Sequence, residues 1–76
     1  PTMAAPTTLS AAVRIAERRR RSLADIDEAR RIFAGIDGTA PATEVSDALY
    51  EVGYLLGLDE AEVESFESAV IWKKLR

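Results

Sequence analysis

Hydrophobic residues recur at helical spacing along most of this chain, and the strict alternation of a half-buried strand appears nowhere. Leu9, Ala12, Val13 and Ala16 make a first, narrow stripe. Leu23, Ile26, Ala29, Phe33 and Ile36 make a wider one that reads as core. Val45, Ala48, Leu49, Val52 and Leu56 make a third, and Val63, Phe66 and Val70 a fourth. The pattern predicts an all-α domain of three to four helices, with a long basic N-terminal helix and a C-terminal helical hairpin. Pro1 to Thr8 shows no period and reads as a tail, which leaves residues 9–76 as a single helical domain.

Turn and cap residues set the boundaries. Helical signal begins near Leu9, with Thr8 or Ser10 as cap. It either runs unbroken over about 9–34 or breaks near 22, where Ser22 and Asp25 form a weaker version of the capping box. Gly35 to Pro41 reads as a loop, because two glycines and a proline close together stop a helix. A further helix is expected over about 43–56, with Thr43 as N-cap and Gly57 at the position that follows a helix end. Asp59 and Glu62 then have capping-box spacing, and Leu58 and Val63 the spacing of a hydrophobic staple. The last helix is therefore expected over about 60–75.

At 76 residues the chain lies near the lower limit for a self-sufficient core, yet it holds 23 large apolar residues and 13 alanines to fill one. Cysteine is absent, so no disulfide or thiolate–metal site supports the fold. The apolar runs are too short to span a bilayer. Pro1 to Thr8 lacks the apolar stretch of a signal peptide. No membrane partner is expected, and the expected location is the cytoplasm or the interior of a virus particle.

Chemistry is scarce. With no His, Cys, Asn or Gln, the usual general base, thiol nucleophile and amide donors of an oxyanion hole are missing. The reading is of a non-enzyme without a cofactor. Phe33 to Glu44 can be aligned with a twelve-residue calcium loop, placing Asp37 fifth, Gly38 sixth and Glu44 last. Its first and third positions are then Phe33 and Gly35, which offer no carboxylate, so calcium is not expected to bind. The joint around Gly57 has the cadence of a helix-turn-helix. The following helix carries Asp59, Glu60, Glu62, Glu64 and Glu67, whose carboxylates would face DNA phosphates, and that excludes it as a DNA reader.

Charge divides the chain. Seven arginines and four acids fall within residues 1–31, whereas residues 32–72 hold nine acids and no base. A basic arm on an acidic body suggests two surfaces with different partners, or contact between copies. Arg14, Arg18, Arg19, Arg20 and Arg21 are the candidates for an acidic protein partner or a nucleic-acid backbone. On a continuous helix Arg18 to Arg21 would encircle the axis, with Arg14, Arg18 and Arg21 sharing a side and Glu17 pairing with Arg21.

Apolar surface in excess of one core is the main functional lead. Tyr50 and Tyr54 lie one turn apart, opposite the Val45/Leu49/Val52 stripe, while Ile71, Trp72 and Leu75 swing away from Val63. These five residues are the candidate partner interface, since Tyr and Trp bury a large ring while keeping a polar tip. The expected function is a non-enzymatic protein–protein interaction module, a small structural or accessory subunit of a bacterial or phage assembly. It would bind other subunits or copies of itself. The alternative is a nucleic-acid-binding regulator that uses the arginine-rich segment.

One resemblance bears on the fold. Asp37-Gly38, Glu44 and the run Tyr50-Glu51-Val52-Gly53-Tyr54-Leu55-Leu56-Gly57-Leu58-Asp59-Glu60-Ala61-Glu62-Val63 resemble the helical unit of tellurite-resistance-B-like domains. Like degenerate EF-hands, these join helices through an Asp-Gly turn and a Leu-Gly-Leu joint followed by a capped helix. The resemblance covers residues 33–70 and implies a helical fold and protein binding. The family is longer than this chain.

Overall fold

The computed structural model describes residues 5–74 and is all-helical. Four helices follow one another: α1 (Leu9–Arg18), α2 (Leu23–Ala34), α3 (Ala42–Leu55) and α4 (Glu60–Lys74), with no strand among the described residues.

The amino-terminal region is not one long helix. The Thr8 hydroxyl opens α1 by accepting the Ala11 N–H at 3.1 Å. The helix closes within the arginine run: Arg21 N–H reaches the Ala16 carbonyl at 3.0 Å and Arg20 N–H the Glu17 carbonyl at 3.1 Å. That bonding is a Schellman turn, and it requires a left-handed residue at Arg20, where φ is 59°. An arginine thus occupies a conformation that costs a side-chain-bearing residue about 1 kcal/mol or more. Ser22 then caps α2, its Oγ accepting the Asp25 N–H at 3.1 Å. The continuous alternative would stack like charges at Arg18 and Arg21. Breaking the helix frees Arg19 and Arg21 to turn toward α3. The Glu17–Arg21 pair expected of an unbroken helix is accordingly not made; Arg21 meets Asp25 at 3.5 Å instead.

Between α2 and α3 the Asp37 carboxylate accepts the backbone N–H of Thr39 at 2.8 Å and its hydroxyl at 2.7 Å, an Asx turn. Pro41, not Thr43, is the N-cap of α3. Its carbonyl accepts from Glu44 and Val45, which puts Thr43 inside the first turn. At the other end of α3 a second Schellman turn forms, with Leu58 N–H on the Gly53 carbonyl at 3.0 Å and Gly57 at φ 74°. Asp59 and Glu62 exchange backbone-to-carboxylate bonds of 2.8 Å in both directions, a complete capping box for α4.

These joints let α2 pack on α3, α3 on α4 and α1 on α2. The shared core comprises Ala12, Val13 and Ala16, then Ile26 and Ala29, then Val45, Leu49, Val52 and Leu56, then Phe66 and Val70. Phe33 lies against Phe66 with ring centroids 6.1 Å apart. Leu23 does not join them. As the first residue of α2 it is 77% exposed, and the second stripe starts at Ile26. Pro6 is fully buried, although the residues around it read as a tail. At Gly53 α3 lies tight against α4: a Cβ there would lie 2.5 Å from Val63 Cγ2. The molecule measures 33 × 29 × 17 Å. A helix with its side chains is about 10–12 Å across, so this thickness leaves each helix an outer face.

Candidate functional site

The structure divides the five arginines. Arg19 spans the gap from α1 to the α3–α4 joint. Its Nη1 donates to the Gly57 carbonyl at 2.9 Å and to Glu62 Oε1 at 2.7 Å, and its Nη2 donates to Glu62 Oε2 at 2.8 Å. Arg21 adds a bond from Nε to the Leu55 carbonyl at 3.1 Å, and its stem lies against Gly57. Arg21 thereby caps the carbonyl of the last α3 residue, and Arg19 the Gly57 carbonyl in the joint beyond it. The hydrogen bond to Glu62 raises the Arg19 guanidinium above its already high ordinary value. Hydrogen bonding from Arg19 in turn holds the Glu62 carboxyl below the usual carboxylate range, against the opposing effect of burial and with help from the Asp59 N–H. Arg14, Arg18 and Arg20 point outward and make no ion pair among the described residues.

A second feature runs along the seam of α3 and α4. Tyr50 and Tyr54 stand one turn apart over a shallow groove completed by Leu58, Val63, Glu60 and Glu64. Tyr54 is 77% exposed and Tyr50 42%. Further along the seam a second recess is lined by Ala42, Thr43, Ser46, Asp47, Glu67 and Ile71. There the Ser46 hydroxyl donates to Glu67 Oε2 at 2.7 Å, tying the helices together. The tyrosine groove sits in a negative field. Partial desolvation, and then the carboxylates of Glu64, Glu67 and Glu60, push the Tyr50 hydroxyl above its ordinary value. Glu60 and Glu64 make no ion pair among the described residues.

The five apolar candidates do not form one patch. Tyr50 and Tyr54 share the groove, and Ile71 lines the neighbouring recess while packing partly on the core. Trp72 is 67% exposed, yet it lines neither recess. It stands eight residues beyond Glu64, about 12 Å along α4. Leu75 lies outside the described residues. Reading the sequence missed Leu58, Glu60 and Glu64 as neighbours of the tyrosines. The available signal was the helix–turn–helix joint, which brings the first turns of α4 beside the last turns of α3.

Among the described residues no three Asp, Glu, His or Cys side chains gather to hold a metal ion. No described helix is long and apolar enough to cross a membrane. Exposed tyrosines beside carboxylates offer ring faces and negative charge to an approaching group. No family model, curated protein or solved structure matches the chain.

Proposed function

We propose that this domain is a non-enzymatic protein-interaction module, a small structural or accessory subunit that docks through the outer face of α3 and α4. The supporting observation is the exposed Tyr50/Tyr54 pair above an apolar groove floored by Leu58 and Val63. Aromatic side chains held in place by a rigid helix lose little entropy on binding, which makes them effective anchors. Trp72 provides a separate anchor nearer the end of α4. The alternative, a nucleic-acid-binding regulator, is weakened by the use of Arg19 and Arg21 inside the fold, which leaves Arg14, Arg18 and Arg20 for phosphates.

A photo-crosslinking amino acid at position 54, compared with one at exposed Thr39, tests the reading in the native host. A discrete protein adduct confined to position 54 supports it. A nuclease-sensitive adduct, or none, overturns it. For the alternative, three phosphate contacts would give a salt dependence of binding with a log–log slope of about −3.

A further inference from the structure

Two surfaces of the molecule complement each other in both charge and spacing. On α1, Arg14 and Arg18 stand four residues apart, one helical turn, and both are exposed. On α4, Glu60 and Glu64 are likewise four residues apart, exposed, and on the rim of the tyrosine groove. None of these four charges is paired among the described residues. The Arg19 clamp to Gly57 and Glu62 holds the basic end of α1 beside the start of α4. Glu62 faces α1, so Glu60 and Glu64, two residues to either side of it on α4, face away from α1, and the rim meets an Arg14/Arg18 edge only when a second molecule brings one.

We propose that the Tyr50/Tyr54 groove takes a second copy of this chain, with the Arg14/Arg18 edge of one copy lying on the Glu60/Glu64 rim of the other. This rests on the interaction-module reading above and names its partner. Guanidinium groups suit such a groove twice over: they pair with carboxylates through a planar fork, and they stack on tyrosine faces. Residues 32–72 hold no base of their own, so positive charge over the groove comes from another segment, of which the Arg14/Arg18 edge of a second copy is one with both guanidinium groups exposed and unpaired among the described residues, or from a foreign protein. The matching one-turn spacing favours the former. Each such contact joins two charge pairs.

Sedimentation of the full chain at about 0.1 M and about 1 M salt provides the test, since the screening length falls from about 10 Å to about 3 Å between them. The wild type is expected to associate, with a dissociation constant at least tenfold weaker at the higher salt. Arg14→Glu/Arg18→Glu and Glu60→Arg/Glu64→Arg are each expected to sediment as monomers. An equimolar mixture of the two should recover association, because reversed groove then meets reversed edge. Circular dichroism melts confirm that each variant is folded, and Tyr54→Ser, which leaves every charge in place, should also weaken association at least tenfold. A wild type that stays monomeric, or a mixture of folded variants that does not recombine, overturns the second copy. In that event an adduct between position 54 and a different protein would leave the interaction module standing, and its absence would remove both.

Discussion

Replacing Arg19 with alanine removes a side chain that joins the end of α1 to both sides of the α3–α4 joint. Three hydrogen bonds are lost, two to the Glu62 carboxylate and one to the Gly57 carbonyl. The Arg19 side chain is 40% exposed and that of Glu62 16%. Water can therefore reach the orphaned groups, and the full cost of a buried, broken ion pair does not apply. An exposed pair contributes about 0–1 kcal/mol, and the bidentate geometry together with the carbonyl bond places this one higher, at about 1–2 kcal/mol. For a domain of this size that loss corresponds to a fall in melting temperature of roughly 5–15 °C. A double-mutant cycle with Glu62→Ala separates the pair from the capping box, since Glu62→Ala also frees the Asp59 N–H. A coupling of about 1 kcal/mol is expected from urea melts, shrinking at high salt. Zero coupling, with each single variant destabilising on its own, would refute the clamp as an energetic link between α1 and the joint.

Gly53→Ala should destabilise by about 1–3 kcal/mol through overpacking against Val63, outweighing the roughly 1 kcal/mol that alanine gains in a helix, and a denaturant melt reads the sign. Arg20→Gly should stabilise by about 1 kcal/mol in the same melt, because glycine adopts φ 59° without strain. Acid should weaken the fold through Glu62. Its carboxyl is held lower in the folded state than in the unfolded chain, so the pair contributes fully above the ordinary value of 4.5 and is lost as pH falls through the lowered one. Melting temperature followed below that value should fall less steeply in Arg19→Ala than in the parent.

The helical class was legible because three kinds of signal agreed: periodic apolar positions, a glycine at the end of α3, and the Asp59/Glu62 spacing. The break inside the arginine run was only half legible. Ser22 announced a cap, but a left-handed Arg20 has no sequence signature, since its cost is offset by the bonds Arg19 and Arg21 make to the end of α3 and the joint after it, more than 30 residues away. Leu23 misled for a related reason: its phase fits the stripe, but its place at the helix start turns it outward. Thr43 looked like a cap because threonine usually is one, whereas the Pro41 carbonyl had already begun the ladder. Pro6 carried no periodic signal at all. The tyrosines were legible as surplus apolar surface. Their carboxylate rim was not, because it depends on how α4 folds back beside α3.

Whether the Tyr50/Tyr54 face docks a partner is tested by crosslinking from position 54 in the native host. The expected result is a protein adduct of defined mass at position 54 that is absent at position 39 and lost when Glu60 and Glu64 are reversed to arginine. Equal adducts at both positions, or none at either, would contradict it.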